Sequence, residues 1–238
     1  MIKFLDLYKQ DQKLHKAILK DIKTLFKKGD FILGNEVIKF EDNFKNFCQS
    51  KYAISCGNGT DALTIALKSL DLPNYSEVII PAMTYCSTAF AVINAGLTPI
   101  LVDTEFLKPT IDLIDLKKKI NKKTKVILPV HLYGSVANLN GIKKIIGKKN
   151  IYLVDDCAQA HGAYDDSINS QNRKRIGSTT DISCFSLYPG KNLGAYGDAG
   201  IITTNNKNLF NKIKKIRNLG SDKKFVHDYV GINSRLDT

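Results

Sequence analysis

From residue 77 onward the chain alternates short, nearly all-apolar runs with stretches of helical period. This alternation constrains the fold more than any other feature. "EVIIPA" (77–82), "TPILVD" (98–103), "KVILPVHL" (125–132) and "IYLVDD" (151–156) read as strands. Between them, "STAFAVINAG" (87–96), "LIDLKKKI" (113–120) and "NLNGIKKIIG" (138–147) carry helix spacing. "DISCFSL" (181–187) and "GIITTN" (200–205) add two strands, and "KNLFNKIKKIRN" (207–218) a closing helix. Strands without polar alternation are covered on both faces. The pattern therefore predicts an α/β fold, a mainly parallel sheet sandwiched by helices. Right-handed crossovers place the loops after the strand C-termini along one edge, where open α/β sheets bind ligands.

Two helices are expected ahead of this block. "DQKLHKAILKDIKTLFKKGD" (11–30) spaces Leu14, Ile18, Ile22 and Leu25 on one face and stops at Gly29. "VIKFEDNFKNFCQS" (37–50) puts Phe40, Phe44 and Phe47 on another. With 238 residues, 43% of them hydrophobic, the chain can bury one substantial core. The expected organisation is one large domain over 1–238, with an N-terminal helical segment over about 1–30. The polar stretch "DDSINSQNRKR" (165–175) is expected to be an exposed loop.

The formal charge of +12 admits an anionic partner. The lysines lie in short groups spread over helices and loops, and only Arg173, Arg175, Arg217 and Arg235 are arginines. A reader of nucleic-acid grooves normally uses more, so an anionic small substrate is the preferred reading and no nucleic-acid partner is expected. No run of about 18 apolar residues suggests a membrane span, and the start does not resemble a secretory signal. The five cysteines are scattered without metal spacing, which suggests reduced thiols and a cytoplasmic protein; no metal is expected.

Four segments carry candidate chemistry at the predicted ligand edge. "SCGNGTDALTIAL" (55–67) leads glycines and a threonine into a helix, whose first N–H groups favour a phosphate. "LVDDCAQAHG" (153–162) ends a strand in two acids, of which Asp156 could hold a protonated ring nitrogen and Asp155 reads as a helix cap. "PAMTYCSTA" (81–89) sets Tyr85 after a strand, where it can be core or stack on a flat cofactor. "FSLYPGKNLGAYGDAG" (185–200) isolates Lys191 among small residues and turns, unlike the lysines of the charged runs. A phosphate cradle, a carboxylate, a flat aromatic and an inward lysine together suggest pyridoxal phosphate.

These segments, with "PVHLYG" (129–134) and "GINSRLD" (231–237), resemble end to end the successive motifs of the DegT-type nucleotide-sugar aminotransferases, fold-type I pyridoxal 5'-phosphate enzymes. The resemblance implies that Lys191 is the Schiff-base lysine, Asp156 pairs with the pyridinium nitrogen and Gln159 lies near the ring hydroxyl. It implies that Thr60, Asp61 and Ser186 hold the phosphate and that Tyr85 stacks on the ring. Asn233 is similar to the asparagine that reaches the partner subunit's phosphate, which implies a homodimer with shared sites. The implied reaction moves an amino group from glutamate to a keto-6-deoxy sugar on a nucleoside diphosphate, for surface-polysaccharide synthesis. "NLGSDKKFVHDYVGINSRLD" (218–237) loosely resembles the branch that acts on 3-keto sugars.

His131, His227 and Tyr188 are candidate substrate contacts, although a strand-end or turn histidine with a satisfied hydrogen bond is as good a reading for His131 and His161. Cys157 and Cys184 read as small buried residues. The family continues past "NSRLD" into a smaller C-terminal domain that has no counterpart in these 238 residues. The alternative to the enzyme is a non-catalytic remnant, or half of a split enzyme, that binds a partner chain. Relatives that dehydrate carry histidine in place of the lysine, and Lys191 argues against that chemistry.

Overall fold

The computed structural model describes residues 2, 4–165 and 173–238. In chain order the elements are α1 (Leu7–Asp11), α2 (His15–Lys28), α3 (Asn35–Cys48), β1 (Tyr52–Cys56), α4 (Gly59–Lys68), β2 (Glu77–Pro81), α5 (Cys86–Asn94) and β3 (Thr98–Val102). Then follow α6 (Leu113–Lys119), β4 (Thr124–Ile127), a 3-10 turn (Leu132–Gly134), α7 (Leu139–Ile146), β5 (Tyr152–Asp156), β6 (Tyr164–Asp165) and β7 (Lys174–Arg175). The chain continues through β8 (Ile182–Ser186), β9 (Gly200–Thr204), α8 (Lys207–Ile216), β10 (Ser221–Lys223) and β11 (Val226–His227).

Seven strands form one sheet in the order β1-β9-β8-β5-β4-β2-β3. β8, β5, β4, β2 and β3 pair in parallel, and β9 runs antiparallel to both β8 and β1. Six strands therefore point one way and β9 the other, which makes the sheet mainly parallel as expected. Successive strand residues feed opposite cores. Val78, Ile80, Val126, Val154, Ile182 and Ile202 pack with α4, α5 and α8 on one face. Ile79, Ile127, Leu153, Phe185 and Ile201 pack with α3, α6 and α7 on the other. Double burial is why these strands read as unbroken apolar runs. α4 is buried almost all round, from Ala62 through Leu67, and forms the central rod of the first core.

Two expectations need adjustment. α2 forms and ends at Gly29, in the left-handed conformation at φ 67°, yet none of its residues is buried within the chain. Its apolar face is only partly covered: Ile18 and Leu25 are half-buried, and Leu14, Leu19, Ile22 and Phe26 are exposed. The polar stretch 165–175 lies outside the described residues from 166 to 172. At its flanks Tyr164–Asp165 pairs with Lys174–Arg175, and Asp165 is buried. No helix among the described residues is long and apolar enough to cross a membrane.

Candidate active site

Loops at the C-terminal ends of the parallel strands converge on one cavity of about 850 Å³. The turn after β1 brings Asn58, Gly59, Thr60 and Asp61, and the loop after β2 brings Thr84 and Tyr85. His131 follows β4, Asp156 and Gln159 lie at the end of β5, and Ser186, Tyr188 and Lys191 lie at the end of β8. Nine of the residues singled out by sequence thus share one cavity: Thr60, Asp61, Tyr85, His131, Asp156, Gln159, Ser186, Tyr188 and Lys191. Asn233 and His227 are not among its lining. Both are exposed, Asn233 in a bridge to Asn218 and His227 in the β10–β11 hairpin, with Nδ1 2.9 Å from the Leu219 carbonyl.

The start of α4 is shaped as an anion cradle. Asn58 caps it, Oδ1 accepting the Asp61 N–H at 2.8 Å. The N–H groups of Gly59 and Thr60 have no acceptor inside the helix. Gly59 is pressed against β8, and a Cβ there would lie 2.6 Å from Ser186 Cβ. Gly200 is pressed the same way against the Asn58 carbonyl. These approaches bring the backbones of β8, β9 and the α4 turn together, and explain two glycines that sequence alone leaves unexplained. The Asp61 carboxylate is taken up inside the chain, accepting from Ser234 Oγ at 2.6 Å and Asn58 Nδ2 at 3.1 Å. Asp61 lines the cavity, and its already bonded carboxylate contributes the shape of the turn.

The adjacent acids of β5 part company. Asp155 is fully buried and is not a helix cap. It accepts from Thr180 Oγ1 at 2.7 Å and pairs with His131 Nε2 at 3.0 Å. Burial alone would raise its pKa, but the hydrogen bond and charge of His131, with Ser183 and Thr180, outweigh that and hold it below the ordinary value. His131 Nδ1 accepts the Ala137 N–H at 3.1 Å, so both ring nitrogens are engaged and the side chain is wholly enclosed. His131 thus lies at the cavity as the buried partner of Asp155. Asp156, 7% exposed, faces the cavity. Its oxygens accept from Ala158 N–H and Thr88 Oγ1, both at 3.0 Å. Burial pushes its pKa up, and those bonds with the charges of His131 and Lys191 offset this only in part.

Lys191 is half-buried, and its N–H donates to the Tyr188 carbonyl at 2.8 Å. Burial, with the Lys191 charge adding to it, pushes His161 down to about 4. Gln159 Oε1 accepts the Tyr133 N–H at 2.6 Å, fixing a residue in the left-handed region at φ 55° and leaving the amide NH2 as its donor toward the cavity. Tyr85 stands 72% exposed at the start of α5. Burial raises the thiols of Cys157 and Cys184 well above the ordinary value, which disfavours the thiolate. Cys157 lies close to His131 and Asp155, a grouping that the sequence spacing did not reveal.

The cavity fits pyridoxal phosphate on its own features: an N–H cradle too tight for a Cβ, a buried carboxylate with a raised pKa that a cationic ring nitrogen would relieve, and an amine. Sequence reasoning missed Thr88, fully buried between Asp156 and Thr84 Oγ1 at 2.8 Å, because lone threonines form no motif. It also missed Asn58, which an Asn three residues before Asp61 at a helix start could have signalled.

The DegT/DnrJ/EryC1/StrS aminotransferase family matches residues 12–238. The dTDP-3-amino-3,6-dideoxy-alpha-D-galactopyranose transaminase of Aneurinibacillus thermoaerophilus is 42% identical over 237 residues, 100% of this chain and 64% of the relative. The structure of DesV from Streptomyces venezuelae superposes with a TM-score of 0.93 at 36% identity, over 99% of this chain and 62% of DesV. NtdA from Bacillus subtilis, solved with bound cofactor PMP, gives a TM-score of 0.91 at 30% identity, over 99% of this chain and 53% of NtdA. The chain spans about three-fifths of the length of the curated relatives it matches. Because the family match leaves only the first eleven residues uncovered, and the likeness in fold holds over the same span, the chain belongs to the DegT/DnrJ/EryC1/StrS aminotransferase family.

Proposed function

We propose that this chain binds pyridoxal phosphate and serves the transfer of an amino group from glutamate to a keto sugar on a nucleoside diphosphate. The observation that carries the reading is the meeting of Lys191, Asp156 and the α4 turn in one cavity from distant parts of the chain. When bound, the cofactor supplies an electron sink for the carbon that loses its proton. Asp156 keeps the proton on a ring nitrogen, and the enclosure by Thr88 and Ala158 fixes its two oxygens. The Gly59 and Thr60 N–H groups and Ser186 hold the phosphate. Lys191 Nζ is the base that would take the α-proton of the amino donor and deliver it within the same half-reaction, and would work in reverse toward the keto sugar. Gln159 would orient the ring and Tyr85 would stack on it, while Tyr188 is read as a substrate contact in the same cavity.

The acceptor is read as a 3-keto-6-deoxy sugar. The Aneurinibacillus relative, named as a 3-aminosugar transaminase, supports that choice. The protein is read as a cytoplasmic homodimer. Asn233 supports a dimer, since it is exposed away from its own cavity and available to a second copy, and His227 is kept as a candidate substrate contact.

The test is to load the chain with pyridoxal phosphate, reduce it with borohydride and map the label. The label should fall on Lys191, and glutamate should bleach the visible band of the unreduced protein. A label on another lysine, or a chain that stays colourless, refutes the reading.

A further inference from the structure

The Gly57–Asp61 turn is held from behind by a residue far away in sequence. Ser234 is 3% exposed. Its hydroxyl donates to Asp61 Oδ2 at 2.6 Å and accepts the Gly57 N–H at 3.0 Å. The same Gly57 N–H reaches the Ser234 carbonyl at 3.2 Å, and the Ser234 N–H donates to the Arg217 carbonyl at 3.0 Å. Asn58 closes the ring, its Nδ2 donating to Asp61 Oδ2 at 3.1 Å and its Oδ1 accepting the Asp61 N–H at 2.8 Å. Ser234, Gly57, Asn58 and Asp61 thus form one closed hydrogen-bonded loop beneath the anion cradle. Ser234 is not among the residues that line the cavity.

The carboxylate of Asp61 is the key to what this loop does. It sits in the first turn of α4, one residue from the N–H groups that would receive a phosphate. A helix N-terminus attracts any anion within reach, a side-chain carboxylate included. Left without its donors, Asp61 would turn toward those same N–H groups and occupy them from within the chain. We infer that Ser234 is a positioning residue that keeps Asp61 from competing with the cofactor phosphate for the α4 cradle. The inference deepens the proposed function and rests on it.

The energetic scale follows from the bonds lost. Removing the hydroxyl takes away the shorter of the two side-chain bonds on a charged acceptor, which corresponds to about a tenfold change in an equilibrium. Because Asp61 acts as a competitor, the loss should fall on the phosphate alone. It should also be reversed by removing the competing charge. A hydroxyl with a merely structural role predicts neither result.

The experiment is an absorbance titration of the chain with pyridoxal phosphate and, separately, with pyridoxal, which lacks the phosphate. Ser234→Ala should weaken pyridoxal phosphate about tenfold and leave pyridoxal within twofold of wild type. Ser234→Cys, which keeps a small weak donor, should fall between. In the Ser234→Ala background, Asp61→Asn should recover most of the lost affinity. Equal losses for the two ligands overturn the inference, as does an Asp61→Asn change that makes the Ser234→Ala chain worse. A wild-type chain that binds neither ligand overturns the functional reading and this inference together. A wild-type chain with a normal phosphate preference that Ser234→Ala leaves intact overturns the inference alone.

Discussion

Replacing each of the two adjacent acids of β5 by asparagine should move stability in opposite directions. Asp155 is wholly enclosed and bonded to His131 Nε2 at 3.0 Å and Thr180 Oγ1 at 2.7 Å. Taking the charged acceptor from a buried hydrogen-bonded network weakens the bonds of His131 and Thr180, and asparagine, which keeps the size and one acceptor, should cost about 3 kcal/mol. For a domain of this size about 3 kcal/mol corresponds to a fall in Tm of roughly 6–12 °C. Asp156 is different. Its charge is disfavoured by burial, and asparagine can still accept from the Ala158 N–H, so Asp156→Asn should stabilise the cofactor-free chain slightly, by up to about 1 kcal/mol at pH 7. Loaded with cofactor, the same variant should lose most turnover, because the ring nitrogen loses its anion. The pH dependence separates the pair further. Asp155 has a lowered pKa, so its stabilisation is present above the ordinary 3.8 and is lost as pH falls below that value through the folded one. Asp156 has a raised pKa, so its cost appears as pH rises from 3.8 through the folded value and vanishes below 3.8. Urea denaturation of wild type and both variants at pH 7 and across the acid range tests this. Equal losses from the two changes, or a larger loss from Asp156→Asn, would refute the assignment of roles.

Gly59→Ala should push the α4 turn off β8, since its Cβ would lie 2.6 Å from Ser186 Cβ; we expect about 1–3 kcal/mol of lost stability in urea and a larger loss of phosphate-cofactor affinity than of pyridoxal affinity. Tyr85→Ala, at a site 72% exposed, should leave stability within about 0.5 kcal/mol while weakening the cofactor several-fold by absorbance titration. Arg217→Met should cost about 3 kcal/mol in the same denaturation assay, because Arg217 Nη1 donates at 2.6 Å to both Glu41 Oε1 and the Ser55 carbonyl in a nearly enclosed site.

The sheet was legible wherever both faces of a strand are covered. Six of its strands stand out as apolar runs. β1, "YAISC", was not read as a strand because it runs straight into the glycine-rich turn; its Ser55 bonds Glu41 Oε1 at 2.8 Å. The cavity residues with unusual chemistry, Lys191 and Asp156, were legible because their surroundings in sequence are unusual. The bonded pairs around the cavity were not. His131 and Asp155 lie 24 positions apart, and Ser234 and Asp61 lie 173 apart. Such pairs are made by the crossover topology, and hydroxyl and carboxylate groups this far apart leave no periodic trace in the sequence. Asp155 was misjudged as a cap for the same reason: a cap is the local explanation, and its true partners come from β4 and β8. The apolar period of α2 was read correctly as a helix, but period alone does not say which surface will cover it.

The antiparallel strand β9 also bears on how the protein is made. β1 is complete by residue 56, yet its strand partner in the sheet is β9, residues 200–204. Until some 150 further residues have been synthesised and folded, β1 has no neighbour, and the turn it carries toward the cavity has no backing from Gly200. The strands of β2 through β5 can zip together much earlier, over shorter loops. An emerging chain should thus hold a half-sheet first and acquire its phosphate cradle among its last events, as β9 slides between β1 and β8. Capture of the cofactor then reports that the longest-range strand pairing of the seven-stranded sheet has been made.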